Sequence, residues 1–257
     1  MSTMLMAAAA TLVFCAPGYP GAAGDAQPFI DQFASATAAT AGWPAGSLSA
    51  VYDPTEQGGL AKLGSPDAVL AFVPYAFFVQ HGTELHLSPL AQADVTGVGP
   101  LERWTLVAKA GAVSGPKSLA GYTILSVAGY APEFVRHSAL EAWPLPPDVK
   151  IESTGQILSA LRRVAAGEHV VALLDQTQAA ALPTLPFADQ LKAVMQSAPL
   201  PVALVAVVDA RLPVARARAL QAGLLKMGHA AADADILGQL HLQGFVLPES
   251  AGRNATP

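Results

Sequence analysis

Short apolar runs alternate with helical segments along the first third of the chain. The runs are ATLVFCA, SLSAVYD and DAVLAFVP. Because they are almost continuously apolar and do not alternate, they are typical of strands buried on both faces of a parallel sheet. The segments between them, PFIDQFASATAATAG and TEQGGLAKL, have acidic residues or Pro in or near their first turns, as helices do. This pattern predicts an α/β lobe.

The alternation starts again after GVGPLERWTLVAKAGAV, which itself is expected to form one long strand. It continues through GYTILSV, a helix from about Pro132 to Ala142, VKIES, GQILSALRRVAAG, HVVALLD and TQAAAL. A further strand, LPVALVAVVD, precedes two expected closing helices, RLPVARARALQAGLLKM and DADILGQLHLQGF. The order predicts a discontinuous first lobe, 10–106 plus 206–250, and an inserted second lobe, 107–205.

Composition excludes several classes of partner. The 257 residues are 52% hydrophobic and 13% charged, with a formal net charge of −5 and few Lys or Arg clusters, so no nucleic-acid partner is expected. No apolar run reaches the roughly 18 residues of a membrane-spanning helix. The single Cys15 excludes an internal disulfide and is expected to be a buried, inert thiol. The residues before Ala10 are expected to be a leftover leader or an added sequence.

Motifs for catalysis, cofactors and metals are missing. Gly18, Gly21 and Gly24 do not form the G-x-G-x-x-G fingerprint, and neither a P-loop nor a G-x-S-x-G elbow occurs. His81 and His86 are too far apart to ligate a metal from one helical face, so exposed-loop histidines are expected. We therefore predict a protein that is not an enzyme and has no cofactor and no metal.

Four stretches carry a resemblance to a known family. They are DAVLAFVPYAFF, ERWTLVAKAGA, KSLAGYTILSVAGYAPEFVRHSAL and SALRRVAAGEHVVALLD. RRVAAGEHVVALLD is similar to the family run A-x-x-A-G-x-x-D-A-A-x-x-D, and AFVPYAFF is similar to its W-F-G-P-x-x-Y turn. From about Thr11 to Leu247 the chain resembles type II periplasmic solute-binding proteins, in particular the phosphate, phosphite and phosphonate branch.

The resemblance implies a two-lobed α/β fold, each lobe a parallel or mixed sheet flanked by helices, with the ligand in the cleft between lobes. It also implies a periplasmic monomer that closes by hinge motion and serves an inner-membrane transporter. The cleft loops lie at the carboxyl ends of strands. They give the expected ligand-binding residues, which are Pro17, Gly18, Tyr19, Asp53, Thr55, Pro74, Tyr75, Phe78, Glu102, Trp104, Ser126, Val127, Ala128, Gly129, Tyr130, Asp175 and Gln176.

One turn departs from the family pattern. Where the family has the hydroxyl-rich anion anchor S-T-S-G, this chain has SVAGYA, so Val127 and Ala128 supply no side-chain donors. A desolvated dianion short of hydrogen bonds is costly, at least about 1.5 to 3 kcal/mol for each one missing. Glu102 and Asp53 would repel such an anion. The cleft is therefore expected to be apolar and aromatic.

Such a lining favours a hydrophobic ligand with a hydroxyl group, for example a sterol or another lipid, as bacterial sterol-transport components similar to phosphonate-binding proteins carry. Burying roughly 400 Å² of ligand at about 25 cal/mol per Å² gives on the order of 10 kcal/mol before association costs. Glu102 or Gln176 would orient the polar end. The alternative is a phosphonate or phosphate oxyanion for an ABC importer; an enzyme on this scaffold is a third possibility. Simpler roles stay open, since Trp104 can pack a hinge and Asp175 can cap a helix.

Overall fold

The computed structural model describes residues 10–18, 23–229 and 231–248, which form two α/β lobes. Tyr19, one of the expected ligand-binding residues, and the expected leader before Ala10 lie outside the described residues. The strands are β1 Ala10–Cys15, β2 Leu48–Asp53, β3 Ala68–Pro74, β4 Ser88–Val95, β5 Leu101–Glu102, β6 Thr105–Lys109, β7 Thr123–Ser126, β8 Lys150–Ser153, β9 Val170–Leu174, β10 Leu191–Gln196, β11 Leu200–Pro201, β12 Ala203–Val207 and β13 Leu242–Val246. The helices are α1 Ala23–Thr40, α2 Glu56–Leu63, α3 Tyr75–His81, α4 Pro132–Phe134, α5 Ile157–Ala166, α6 Gln176–Ala180, α7 Val214–Leu224 and α8 Ala231–Gln239.

The first lobe is built on a six-stranded mixed sheet with the order β13-β4-β12-β3-β1-β2. β1 pairs in parallel with β2 and β3, as the continuous apolar runs predict, whereas β12 pairs antiparallel with both β3 and β4. On one face, the Phe33 ring of α1 packs against three phenylalanine rings of the sheet, Phe14, Phe72 and Phe245. On the other face, Cys15 and Phe77 pack with α2 and α3.

The second lobe has a five-stranded mixed sheet with the order β10-β6-β9-β7-β8. α5 covers one face and ends at Gly167, whose left-handed backbone (φ 85°) is the usual helix stop. The other face packs against Phe134 and the π-helical turn Val135–Ala139. The two sheets confirm the predicted two-lobed α/β architecture.

Sheet membership places the lobe boundaries a few residues from those expected. The expected boundaries, 106/107 and 205/206, cut through β6 and β12, but all of β6 belongs to the second sheet and all of β12 to the first. The chain passes between lobes at 101–104 and again at 197–202. The long strand expected across GVGPLERWTLVAKAGAV is accordingly two strands, β5 and β6, separated at the passage.

Three other expectations about elements are wrong. The helix expected from Pro132 to Ala142 begins at Pro132 but widens into the π-helical turn and ends at Ala139. The last expected helix ends at Gln239, because His241 takes a left-handed backbone (φ 55°) and the following residues pair with β4 as β13. β4 and β10 were not expected as strands at all. Within the described residues, no helix is long and apolar enough to cross a membrane.

We expect Gly59→Ala to destabilise the first lobe, although alanine is the better helix former. A Cβ at Gly59 of α2 would overlap the Cys15 sulfur of β1, whereas a Cβ at Gly238 of α8 would meet nothing within 4 Å. Overpacking a tight contact costs about 1–3 kcal/mol, and helix propensity returns less than about 1 kcal/mol. Urea unfolding should show a loss for Gly59→Ala and no loss for the control, Gly238→Ala. Equal stability of Gly59→Ala and the wild type would contradict the packing described here.

Candidate functional site

The two passages between the lobes run side by side as a short antiparallel pair. In this pair Leu200 lies opposite Glu102 and Pro201 opposite Leu101. Ser197 ties the passages together, since its N–H donates to the Trp104 carbonyl (2.8 Å) and its Oγ accepts from the Trp104 N–H (2.9 Å). The backbone on both passages is therefore fixed, and it holds the Glu102 and Trp104 side chains at the junction of the lobes.

A small pocket, the interlobe pocket, lies at this junction and has a volume of about 10 Å³. Eight of the expected site residues line it, and Ala76, Phe134 and Val202 complete the lining. The eight are Pro17, Pro74, Tyr75, Glu102, Trp104, Val127, Ala128 and Tyr130. The structure thus brings together most of the predicted strand-end loops. Phe134 and Val202 were not predicted, because nothing in their sequence context distinguishes them from core residues.

The interlobe pocket is small because the lobes touch around it. Across the junction the Glu133 N–H donates to the Gln80 Oε1 at 3.0 Å, and the Tyr75 ring meets the Phe134 ring edge-on at 6.1 Å. Gly18 has a left-handed backbone (φ 84°) and stands directly against the Val127 carbonyl, where any Cβ would overlap it. Only glycine fits this approach.

The turn after β7 uses its polar groups internally. Ser126 is fully buried, and its Oγ accepts from the Ala128 N–H at 3.2 Å. Its carbonyl accepts from the N–H groups of Gly129 (3.1 Å) and Thr154 (2.8 Å). Gly129 packs against the Glu152 main chain. Ser126 and Gly129 therefore shape the turn but do not line the interlobe pocket, to which the turn presents apolar Val127 and Ala128.

A much larger cavity, the first-lobe cavity, adjoins the interlobe pocket and has a volume of about 740 Å³. It shares Pro74, Glu102 and Val202 with that pocket, and Asp175 lines it from the second lobe. Sequence reasoning missed the rest of its lining, because these residues are far apart in the chain and their apolar runs are typical of core. They include Phe14, Ala26, Ile30, Tyr52, Phe72, Val98, Thr177, Gln178, Leu240, His241 and Leu242.

Two buried carboxylates stand where the interlobe pocket and the first-lobe cavity meet. Glu102 is 6% exposed and Asp175 is 5% exposed. Burial, followed by the nearby Asp175 carboxylate, raises the pKa of Glu102 from its ordinary 4.5 to about 7. Burial also raises the pKa of Asp175, against the main-chain N–H groups that it accepts from. Among the described residues that line either space, none is Lys or Arg.

Asp175 also has the simpler role considered from the sequence. It is the N-cap of α6, and its Oδ1 accepts from the Gln178 N–H at 2.8 Å while Gln178 bonds back to the Asp175 N–H. Gln176 contacts the passage, where its Oε1 accepts from the Arg103 N–H at 3.3 Å and its own N–H lies 3.5 Å from a Glu102 oxygen. Gln176 does not line either space.

The structure corrects the expected cleft lining at three further positions, in addition to Ser126, Gly129 and Gln176. Asp53 pairs with Lys62 and accepts from Thr55, and Thr55 in turn caps α2 by accepting from the Gly58 N–H. Both therefore serve the start of α2 and line neither space. Phe78 stacks on Tyr75 at 6.1 Å and faces a separate groove near Gly82–Ser88, away from the junction.

One expected histidine is also placed differently. His81 is a buried residue of α3, not an exposed loop residue, and its Nε2 lies 2.7 Å from the Glu56 Oε1. His86 is exposed, as expected. Cys15 is buried, and burial raises the pKa of its thiol to about 12, as expected of an inert side chain. Among the described residues, no group of three or more His, Cys, Asp or Glu side chains is arranged to hold a metal ion.

Several solved structures have a similar fold. A Xanthomonas citri protein bound to ATP aligns with a TM-score of 0.68 at 13% identity, over 94% of this chain and 92% of that one. PhnD1 from Prochlorococcus marinus in complex with methylphosphonate aligns with 0.61 at 12%, over 95% and 94%. A binding protein component of an ABC phosphonate transporter from Pseudomonas aeruginosa aligns with 0.58 at 15%, over 94% and 82%. At these identities, the similarity shows the fold alone.

Sequence comparison gives the family. No curated protein sequence matches the chain. Residues 69–251, which contain the passages and all of the second lobe, match the model of the ABC transporter phosphonate periplasmic substrate-binding proteins. The match confirms the expected branch, the periplasmic location and the absence of catalysis, and it gives no support to a sterol or lipid transport system. The chain belongs to the family of periplasmic substrate-binding proteins of phosphonate ABC transporters.

Proposed function

We propose that this protein captures a small organic solute at the junction of its lobes and delivers it to the membrane subunits of an ABC importer. The meeting of Pro74, Glu102 and Val127 from three parts of the chain supports this location. Open α/β folds bind ligands beyond the carboxyl ends of their strands, and these three residues lie there or at the passage between the lobes. Binding would stabilise the contact between the lobes.

The first candidate ligand is a phosphonate or a related oxyanion. The family match favours it and supports it better than the sterol or lipid suggested by the SVAGYA turn. This candidate requires main-chain N–H groups or a hydroxyl such as that of Tyr75 to hold the anion, because Val127 and Ala128 have no side-chain donors and Ser126 does not line the interlobe pocket. It also requires that Glu102 be protonated or that its charge be outweighed.

The second candidate is an apolar ligand whose polar end donates a hydrogen bond. One observation favours it: Glu102 and Asp175 are both buried at the junction, and the described lining brings no Lys or Arg to them. A buried carboxylate is stabilised by donors and destabilises a nearby anion, by several kcal/mol where like charges are brought together. A hydroxyl or an ammonium group would meet this requirement.

The contents of the freshly purified protein would test the proposal. Denatured protein is extracted with organic solvent, both phases are analysed by mass spectrometry, and methylphosphonate and 1-octanol are titrated into the refolded protein. A stoichiometric solute, or saturable binding of either compound, supports a solute-binding role. Failure to detect any released molecule, together with no binding of either compound, would overturn it.

We predict that Glu102→Gln strengthens any binding of methylphosphonate by roughly tenfold, because removing one buried negative charge lowers the repulsion of a dianion. Calorimetric titration near pH 8 measures this change. Glu141→Gln, at an exposed position of the second lobe, is the control and should leave the affinity unchanged. Weaker binding by Glu102→Gln would show that the carboxylate assists the anion, contrary to the charge arrangement described above.

We also predict that Glu102 makes the fold less stable as the pH rises. Since its pKa is raised from 4.5 to about 7 on folding, the folded protein binds this proton more tightly than the unfolded chain. The free energy of unfolding should therefore fall between about pH 4.5 and pH 7, by on the order of 2–3 kcal/mol, and level off above. Glu102→Gln should be more stable than the wild type near pH 8 and similar to it near pH 4.5.

Urea unfolding at several pH values measures this difference. The same titration of Glu141→Gln corrects for charges elsewhere on the surface. A difference between wild type and Glu102→Gln that stays constant from pH 4.5 to pH 8 would mean that the carboxylate is solvated in the folded protein.

A further inference from the structure

The space available to a ligand lies mainly against the first lobe, and Asp175, Thr177 and Gln178 of the second lobe line one part of it. The interlobe pocket has a volume of about 10 Å³, whereas the first-lobe cavity measures about 740 Å³. The latter lies within the roughly 300–1,000 Å³ typical of small-molecule sites. The two spaces meet at Pro74, Glu102 and Val202, which line both.

The lining of the first-lobe cavity is apolar over most of its extent. Aromatic side chains come from the sheet, aliphatic side chains come from α1, and Leu240, after α8, and Leu242, at the start of β13, add further aliphatic surface. These residues pack into the main core of the lobe, so the walls are firmly supported. Examples are Phe14, Phe72, Ile30, Leu240 and Leu242. An apolar surface of this kind suits an apolar molecular body.

Among the described residues that line the first-lobe cavity, Glu102 and Asp175 are the carboxylates, and none is Lys or Arg. The two carboxylates approach one end of the cavity from the passage and from α6, with the hydroxyl of Thr177 and the amide of Gln178 beside them. His241 lines the cavity from the segment that precedes β13, and Tyr52 and Cys15 line it from the sheet. Charge on a guest at this end is thus met by carboxylates. A negative head group is disfavoured, and a hydrogen-bond donor is favoured.

We propose that the first-lobe cavity holds the apolar body of the ligand, and that Glu102 and Asp175 accept hydrogen bonds from an uncharged or cationic donor group at the end of that body. The proposal rests on the solute-binding function above and specifies its ligand class. A hydroxyl and an ammonium group share the required chemistry, and the experiment below distinguishes them.

Four octyl compounds that differ only in their head groups test the charge requirement. They are 1-octanol, octylamine, octanoate and octylphosphonate, titrated calorimetrically into the full chain below their micellar concentrations. Octanol or octylamine should bind at least tenfold more tightly than octanoate and octylphosphonate. Tighter binding of octanol than of octylamine identifies a hydroxyl ligand, and tighter binding of octylamine identifies a cationic ligand. Tightest binding of octylphosphonate or octanoate would overturn the proposal while leaving the solute-binding function intact.

A pair of matched variants tests the location. Ala26 of α1 and Ala217 of α7 are both partly buried helical alanines that pack against the same core, but only Ala26 lines the first-lobe cavity. Ala26→Phe should weaken the best octyl ligand tenfold or more, and Ala217→Phe less than twofold. Val98 lies in the turn after β4 and lines the cavity from another side. Val98→Phe should narrow the cavity there, and it replaces Ala26→Phe in the test if that variant does not fold.

The outcomes separate the two levels of the account. Octyl ligands that bind equally well to the wild type, Ala26→Phe and Val98→Phe would place the site elsewhere, which overturns the cavity and not the solute-binding function. Failure of all four octyl compounds to bind, while methylphosphonate does bind, also overturns only the cavity. Failure of every compound, methylphosphonate included, overturns the cavity, and it overturns the solute-binding function too if the purified protein also releases no solute.

Discussion

The two passages of the chain between the lobes hold a carboxylate out of water, and the properties of the site depend on this constraint. The backbone holds Glu102 at the junction, because its strand is paired with Leu200–Pro201. The nearby Trp104 is hydrogen-bonded to Ser197 through both its N–H and its carbonyl group. The Glu102 side chain is buried, shares the pocket lining with aromatic residues and lies near the Asp175 carboxylate. Any guest at the junction therefore meets a desolvated acid with no Lys or Arg in the described lining.

The same constraint explains why family and geometry favour different guests. The family match favours an oxyanion, and such a guest needs donors that the SVAGYA turn does not supply from its side chains. Ser126, one of the two hydroxyl side chains of the turn, is buried, and its Oγ accepts from the Ala128 N–H. The fold of the family is thus preserved, while the chemistry at the junction favours donors over acceptors on the ligand.

Sequence patterns predicted the parts of the fold that depend on continuous burial. β1, β3 and β9 are apolar runs between covered faces, and they were expected correctly. β4 was missed because Pro89, Gln92 and Asp94 interrupt its apolar pattern, and β13 was missed because its apolar residues continue the helical spacing of α8. Antiparallel pairing with a distant partner decides both strands, and a local pattern carries no information about it.

The candidate site was predictable where it depends on topology and not where it depends on side-chain pairing. Strand-end loops gave Pro17, Pro74 and Val127, because such ends converge in an open α/β fold. Asp53 is at a strand end too, but its carboxylate forms an ion pair with Lys62 of the next helix and does not line either space. The first-lobe cavity brings together residues that are far apart in the chain, among them Phe14, Tyr52 and Leu240. In the sequence, nothing around each of them distinguishes it from a residue of the hydrophobic core.

The ionisation of Glu102 tests this account most directly. Carboxyl-carbon NMR of the protein labelled at glutamate side chains, with the resonance assigned by its loss in Glu102→Gln, gives the pKa of this one group in the folded protein. The account predicts a midpoint near 7, raised by burial and by Asp175 from the ordinary 4.5. A midpoint close to 4.5 would contradict it, since the carboxylate would then be solvated and could not select the charge of a ligand.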